Sequence, residues 1–359
     1  MKTLDRYVLR ELMVPFLIGT LAVVLMFEAN LLIAQLKEFQ LQAVPLQAIL
    51  QILLYKAPMF LSMTLFVGIS LAASLAISRI TRETELTAIR SAGASIMRVV
   101  RPVMVFGLLV GVGNFILAER IVPPAERKVK QLLSQALIVG GIPEFKSNVV
   151  VNLRNYTASI GLVQRKKIQG QDVIELQNVL LFERPRADEI WFYKADTGEY
   201  RNGVWSFPNG HAWTFKGNDL LKFEAQKVVF TEQIVITDIF VAPAPEDQTA
   251  EQLQQSIREN RRFGRDTTML EVALHARYSV PAACLVFSVV APVFAVLFAR
   301  GGGFVGILLS IFLVFLYYNA YVISTEIMGR NNWVSPWMAA WLPNILFAML
   351  GLLGLRRLE

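Results

Sequence analysis

The sequence predicts a membrane α-helical protein: six transmembrane helices, with an all-β, jelly-roll-like domain inserted between the third and the fourth. Three observations carry this. Hydrophobic residues make up 54% of the 359-residue chain and charged residues only 18%, whereas soluble domains are about a quarter charged. The apolar residues gather in two blocks, Leu4 to Ile121 and Tyr278 to Leu355. Between the blocks the pattern changes to short β-type runs broken by turn residues.

A spanning helix needs about 20 mostly apolar residues. Six segments qualify: Pro15–Gln35, Leu53–Ile77, Val99–Ala118, Tyr278–Phe298, Phe304–Ile323 and Trp337–Leu355. The second begins near Leu46 as an amphipathic approach, and Pro58 is its kink point. Arg300-Gly-Gly-Gly303 leaves room only for a tight hairpin between the fourth and fifth. Lys2, Arg6 and Arg10 precede the first apolar run, but no small-x-small cleavage site follows it, so it reads as an uncleaved span.

Lys and Arg in short loops set orientation. One side receives Lys2, Arg6, Arg10, Arg79, Arg82, Arg90, Arg98, Arg101, Arg300, Arg356 and Arg357; the other has Lys37 and Arg330. The first side is expected to be cytoplasmic, with both termini inside and the β domain outside. Trp333, Trp337 and Trp341 fit an interfacial belt near the start of the last span.

The third span runs on into a charged helical stalk past Pro123-Pro124. Short strands are expected at 149–153, 160–163, 173–176, 179–182, 190–193, 203–207 and 227–230. Gly170, Asp196-Thr-Gly198, Asn202-Gly203 and Pro208-Asn-Gly210 are the expected turns. A polar stretch then turns helical from Thr249, whose side chain and Gln-rich first turn form an N-cap. The expected units are 1–135 with a cytoplasmic helix over about 81–98, the β domain over 136–250, and 251–359.

Several function classes fall away. The net charge of +7 sits largely beside apolar spans, an orientation pattern and not a nucleic-acid surface. A single cysteine, Cys284, excludes an internal disulfide framework. His211 and His275 form no metal-ligand cluster. Gly301-Gly-Gly-Phe-Val-Gly306 lacks the P-loop lysine and follows no strand, so the chain has no such site for ATP. No catalytic constellation appears; a non-enzyme with no bound cofactor is expected.

Two patterns remain. In the loop Arg79–Arg98, Leu86, Ile89, Gly93, Ile96 and Met97 form an apolar stripe flanked by Glu83 and Glu85. Such a helix either closes a hairpin at the membrane surface or docks in a groove of a cytoplasmic partner. Within the spans, Glu28 and Lys56 lie at similar depth on antiparallel helices, and a mutual ion pair is the expected structural arrangement.

Leu4-Asp-Arg-Tyr7 with Arg10-Glu11 and Pro15-Phe16, then Thr84-Glu-Leu-Thr-Ala-Ile-Arg-Ser-Ala-Gly93 with Ser95 and Arg98, then Arg277, Pro281, Pro292 and Arg300, then Pro336 and Trp341-Leu-Pro-Asn344, together resemble the permeases of the lipopolysaccharide-export ABC transporter, LptF/LptG type. The resemblance covers the whole chain, including span order and inserted domain. It implies a heterodimer of two related permeases in the bacterial inner membrane, standing on a cytoplasmic ATPase dimer that uses ATP and Mg. Lipopolysaccharide enters a central cavity and passes to a periplasmic bridge of jelly-roll domains. Glu83, Glu85, Leu86 and Arg90 would then couple to the ATPase. Lys37, Arg120, Arg127 and Lys130 would meet substrate phosphates; a further position that is basic in the family is Leu31 here. The rival readings are a permease of another lipid or lipoprotein exporter, and a membrane receptor or scaffold with a periplasmic sensor. A transporter co-purifies with a nucleotide-binding subunit; a receptor does not.

Overall fold

The structure, a computed structural model, describes residues 3–38, 46–140, 145–152, 156–168, 171–186, 189–201, 204–216, 219–230, 245, 248–262, 266–298 and 303–358. In chain order the elements are α1 (Thr3–Glu38), α2 (Leu46–Arg82), α3 (Glu85–Ser91), α4 (Ile96–Ile116), a π segment (Leu117–Ile121), α5 (Val122–Gly140), strands β1 (Phe145–Asn152), β2 (Tyr156–Ile168), β3 (Gln171–Arg186), β4 (Glu189–Arg201), β5 (Val204–Lys216) and β6 (Asp219–Phe230), then α6 (Ala250–Arg262), α7 (Thr268–Leu297), α8 (Gly303–Val322), a second π segment (Ile323–Gly329) and α9 (Pro336–Leu358). Among the described residues, six helical stretches are long and apolar enough to cross a membrane, as hydropathy predicts. The Arg300 hairpin falls outside the described residues.

Burial separates these stretches into a spine and a periphery. In the most apolar parts of α2 and α7, 61% of residues are buried, against 17% for α1 and 28% for the stretch beginning in α8. α7 packs on α2, α4 and α9, and α2 also packs on α1 and α8. The two spine helices therefore face protein on most sides, while α1 and α8 leave residues such as Ile18 and Phe315 exposed.

Helices in lipid approach through small residues and specific contacts, because acyl chains are as apolar as leucine. Gly107 shows this on α4: a Cβ there would lie 2.4 Å from the Ser288 Cβ and 2.9 Å from the Cys284 carbonyl of α7. Below that crossing an aromatic cluster fills the spine. Phe287 lies 5.4 Å from Phe66 and 5.2 Å from Tyr317, which in turn lies 5.4 Å from Phe347. Two sets of buried polar groups are paired across helices. The Asn114 amide donates to the Ser62 carbonyl at 3.0 Å and accepts from the Ser62 hydroxyl at 2.7 Å. The Tyr317 hydroxyl donates to Asn344 at 2.9 Å, and Asn344 donates to the Ser279 carbonyl at 2.6 Å.

The inserted strands pair antiparallel in the order β1-β2-β3-β4-β5-β6, an up-and-down meander. A jelly roll would interleave strands through Greek-key crossings, and none occurs among the described strands. Among the described residues the strands are also fewer and longer than the sequence predicts. The runs at 173–176 and 179–182 are one strand, β3, interrupted by Asn178 at φ 52. That left-handed residue shifts the side-chain alternation by one, so Leu176, Val179 and Leu181 are all buried. Two expected turns lie within strands. Asp196–Gly198 in β4 stands opposite Phe207–Asn209 in β5, and the pairing resumes in the same register on either side. Gly198 is there for space: a Cβ would lie 2.5 Å from the Phe207 ring. The expected turns at Gly170 and Asn202-Gly203 fall outside the described residues, flanked by the closing pairs Ile168↔Gln171 and Arg201↔Val204.

The return helix begins as the sequence predicts. The Thr249 amide donates to the Gln252 side chain at 2.9 Å and the Gln252 amide to the Thr249 hydroxyl at 3.2 Å, a capping box. At the start of α7, Asp266 accepts from both the hydroxyl and the amide of Thr268 at 2.6 and 2.9 Å, which holds its carboxyl below the usual aspartate range.

Candidate functional site

Two groups of charged residues stand at opposite ends of the bundle. One surrounds α3; the other surrounds the junction of α4, α5 and α6.

At the α3 end the loop is not one helix from 81 to 98. α2 ends at Arg82, Thr84 turns the chain at φ 60, and α3 spans Glu85–Ser91. Gly93, at φ 83, then closes α3: its amide donates to the Arg90 carbonyl at 2.9 Å and the Ala94 amide to the Ile89 carbonyl at 3.2 Å. This is a Schellman stop, and glycine is the residue that adopts its left-handed position without cost. The apolar stripe is thus divided. Leu86 and Ile89 belong to α3, and Ile96 and Met97 to α4, but all four turn inward.

The expected coupling residues consequently take different positions. Leu86 is 4% exposed, in a core shared with Val8, Leu12, Ile80 and Val99, so it anchors α3 to the chain's own bundle. Glu85 accepts a hydrogen bond from the Tyr7 hydroxyl of α1 at 2.7 Å. Glu83 pairs with Arg79 of α2 at 3.2 Å, and Arg79 also bonds Glu11 of α1. Arg90, with Thr87, Ala88 and Ser91, is exposed. α3 is therefore held on its inner side by α1 and α2 and bare on its outer side. Sequence reading does not find Tyr7, Glu11 or Arg79 as members of this group. Their contacts to α3 and to each other cross 68 to 78 residues for the α1 members, beyond any local pattern.

At the other end the expected Glu28–Lys56 pair is not formed. Lys56 bonds Glu126 of α5 at 2.7 Å, and Glu126 is 2% exposed. The depth argument compares only α1 with α2; it omits the stalk helix, which packs on α2 and brings a carboxylate nearer. The Glu28 carboxylate oxygens are buried and have no hydrogen-bond partner among the described residues. Of the expected phosphate contacts, Arg120 and Arg127 are exposed on the stalk and Lys130 is half-buried, one turn beyond Arg127. Lys37 lies in the last turn of α1, and its side chain falls outside the described part.

The π segment between α4 and α5 is fastened from two sides. The Arg277 guanidinium of α7 donates to the Ala118 carbonyl at 2.7 Å. Glu119 accepts from the Ala250 amide at 2.9 Å, placing a carboxylate on the N-terminus of α6. These contacts fix the stalk relative to α2, α6 and α7. Among the described residues no group of His, Cys, Asp or Glu could hold a metal ion.

Removing one partner of a buried ion pair leaves the other charge uncompensated, while removing both does not. Lys56→Met is expected to lower stability in detergent by roughly 3 kcal/mol, the lower end for such pairs because Lys56 retains 19% exposure. The double variant Lys56→Met/Glu126→Leu should recover most of that loss. Thermal unfolding of both variants and of Glu28→Gln checks the pairing; a larger loss in Glu28→Gln than in Lys56→Met would reassign it.

The family model described as "Lipopolysaccharide export system permease LptF/LptG" matches residues 6–357, spanning both helical halves and the sheet between them. No match is found among curated proteins. A permease subunit leaves ATP hydrolysis to a separate chain, in keeping with the missing P-loop. The chain, a multi-pass membrane protein, belongs to the LptF/LptG family of lipopolysaccharide export permeases.

Proposed function

We propose that this permease is one half of a heterodimer in the bacterial inner membrane, with both termini and α3 on the cytoplasmic side and the sheet in the periplasm. Its partners are a homologous permease, a cytoplasmic ATPase dimer that uses ATP and Mg, and a periplasmic bridge of jelly-roll domains. It transfers lipopolysaccharide from the membrane to that bridge. The observation that carries this reading is α3. Its outer face is bare, its inner face is tied to α1 through Tyr7–Glu85, and the turn that leads into it is tied to α1 and α2 through Glu11–Arg79–Glu83.

A partner that pushes on such a helix moves α1 and α2 together. Glu85 and Glu83 then act through the tie, Leu86 as the anchor, and exposed Arg90 as the residue that meets the ATPase. At the other end Arg120, Arg127, Lys130 and Lys37 offer cations at headgroup depth, where substrate phosphates pass. β1 and β6 are the outer strands of the meander. Among the described residues no further strand pairs with their outer edges, and such edges suit strand addition by a bridge domain.

Three outcomes are expected. In intact spheroplasts, a C-terminal tag resists protease while a cleavage site introduced at Asn209 is cut; the reverse pattern inverts the orientation. Glu85→Lys keeps the permease folded but lowers ATPase co-purification or the export achieved per ATP hydrolysed by about tenfold, the effect of losing a charge-assisted hydrogen bond of about 1.4 kcal/mol. Unchanged assembly and export in that variant would remove Glu85 from coupling. Photo-crosslinkers along β1 and β6 capture the bridge protein at alternate positions and lipopolysaccharide at the positions between them, the latter only with ATP. Export without capture at either strand would route substrate through the other permease.

A further inference from the structure

A cavity of about 500 Å³ opens between the α3-end halves of α1 and α2. Its walls are layered. Arg10 and Glu11 of α1, with Arg79 and Arg82 of α2, line the level nearest the loop. One turn deeper, the lining is Val14 and Pro15 on α1 and Leu75 and Ala76 on α2. Below the opening the same side of the bundle stays apolar and open: Leu17 is 59% exposed, Ile18 64% and Leu21 59%.

The charges within this cavity are unequal. Arg79 is occupied by Glu11 and Glu83. Among the described residues neither Arg10 nor Arg82 has a carboxylate partner. Two uncompensated guanidiniums thus stand at the mouth of a pocket whose floor and continuation are hydrocarbon-like. A soluble anion would match the upper layer only. A molecule with a phosphodiester above acyl chains matches both layers, and guanidinium forks suit phosphate oxygens. Basic pockets between spanning helices commonly hold anionic headgroups.

We propose that this cavity binds one anionic phospholipid, its phosphate between Arg10 and Arg82 and its acyl chain along Val14, Leu17, Ile18 and Leu21. On the orientation given above, which this point rests on, the lipid belongs to the cytoplasmic leaflet and is distinct from the exported substrate. The bound phosphate bridges α1 and α2 beside the Glu11–Arg79 tie. It therefore reinforces the frame that holds α3.

The test uses the purified transporter complex in detergent, with phosphatidylglycerol, phosphatidylcholine and inorganic phosphate as probes and native mass spectrometry as readout. The complex should retain phosphatidylglycerol in preference to phosphatidylcholine. Arg10→Gln and Arg82→Gln should each weaken that retention roughly fivefold, the value of one basic residue at an anionic membrane surface. Val14→Asn, on an exposed position, should weaken lipid retention as well. Inorganic phosphate at millimolar concentration should not displace the lipid. Displacement by phosphate, or indifference to Val14→Asn, would make this a free-anion site and overturn the proposal. Undiminished retention in Arg10→Gln/Arg82→Gln would overturn it too. So would loss of the ATPase subunit from that variant with lipid unchanged, because the pocket would then be a protein contact. None of these readouts depends on sidedness. An inverted topology would move the lipid to the other leaflet without abolishing binding, and the spheroplast experiment reports that separately.

Discussion

Surrounded by acyl chains, helices gain little from burying one another's leucines, so association depends on how closely backbones approach and which polar groups they exchange. In this permease both conditions are met at α7. Gly107 lets α4 lie against the Ser288 turn. Gly351 does the same for α9, where a Cβ would lie 3.0 Å from Val290. Asn344 then reaches the Ser279 carbonyl of α7 while holding Tyr317 of α8. Three helices are thereby located against one, and α2 closes the spine through Phe66 and Phe287. α1 joins that spine by a further close approach, where a Cβ at Gly68 of α2 would lie 2.0 Å from the Thr20 hydroxyl, and both α1 and the stalk are held by charged contacts as well.

Those attachments differ in kind at the two ends. Beyond α4, the stalk is fixed by a buried ion pair, a buried guanidinium on a carbonyl and a carboxylate on a helix N-terminus. Each would leave an uncompensated buried group if broken. Around α3 the ties run through partly solvated side chains: Arg79 keeps 44% exposure and Glu83 41%. Solvent and salt weaken such pairs. The protein is thus firm where the stalk leaves the bundle and compliant where α3 meets it. Compliance at α3 suits the coupling to a partner proposed above.

Features set by local periodicity were legible in the sequence. The number and order of spans follow from runs of about 20 apolar residues, and the Thr249 start follows from a side chain three positions before Gln252. The stalk was legible for the same reason. Features set by distant partners were not. Nothing near Lys56 announces a carboxylate 70 residues away. Gly198 reads as part of a turn and the run at 173–176 as separate from that at 179–182, yet Gly198 makes room for Phe207 and Asn178 realigns one continuous β3. Gly93 is a different case. It carries a legible stop signal, which the apolar stripe running through it conceals, because Ile96 and Met97 resume the same inward face on the next helix.

The two π segments give chain length a geometric meaning. A π turn is a helix holding one residue more than its hydrogen-bond ladder needs, and one residue corresponds to about 100° of rotation. The surplus residue is taken up within the widened turn, so deleting one residue within Leu117–Ile121 would return that stretch to α-helix and leave α5 close to its present phase, with Glu126 still on the side facing Lys56. A deletion inside α5 itself has no surplus to remove and would turn everything beyond it by about 100°. Ile323–Gly329 holds the same slack ahead of α9, whose Ala339 carbonyl accepts from Ser324 at 2.6 Å. Within a helix the loss of one residue ordinarily rotates all that follows; at these two places the chain can lose one and keep both helices aligned.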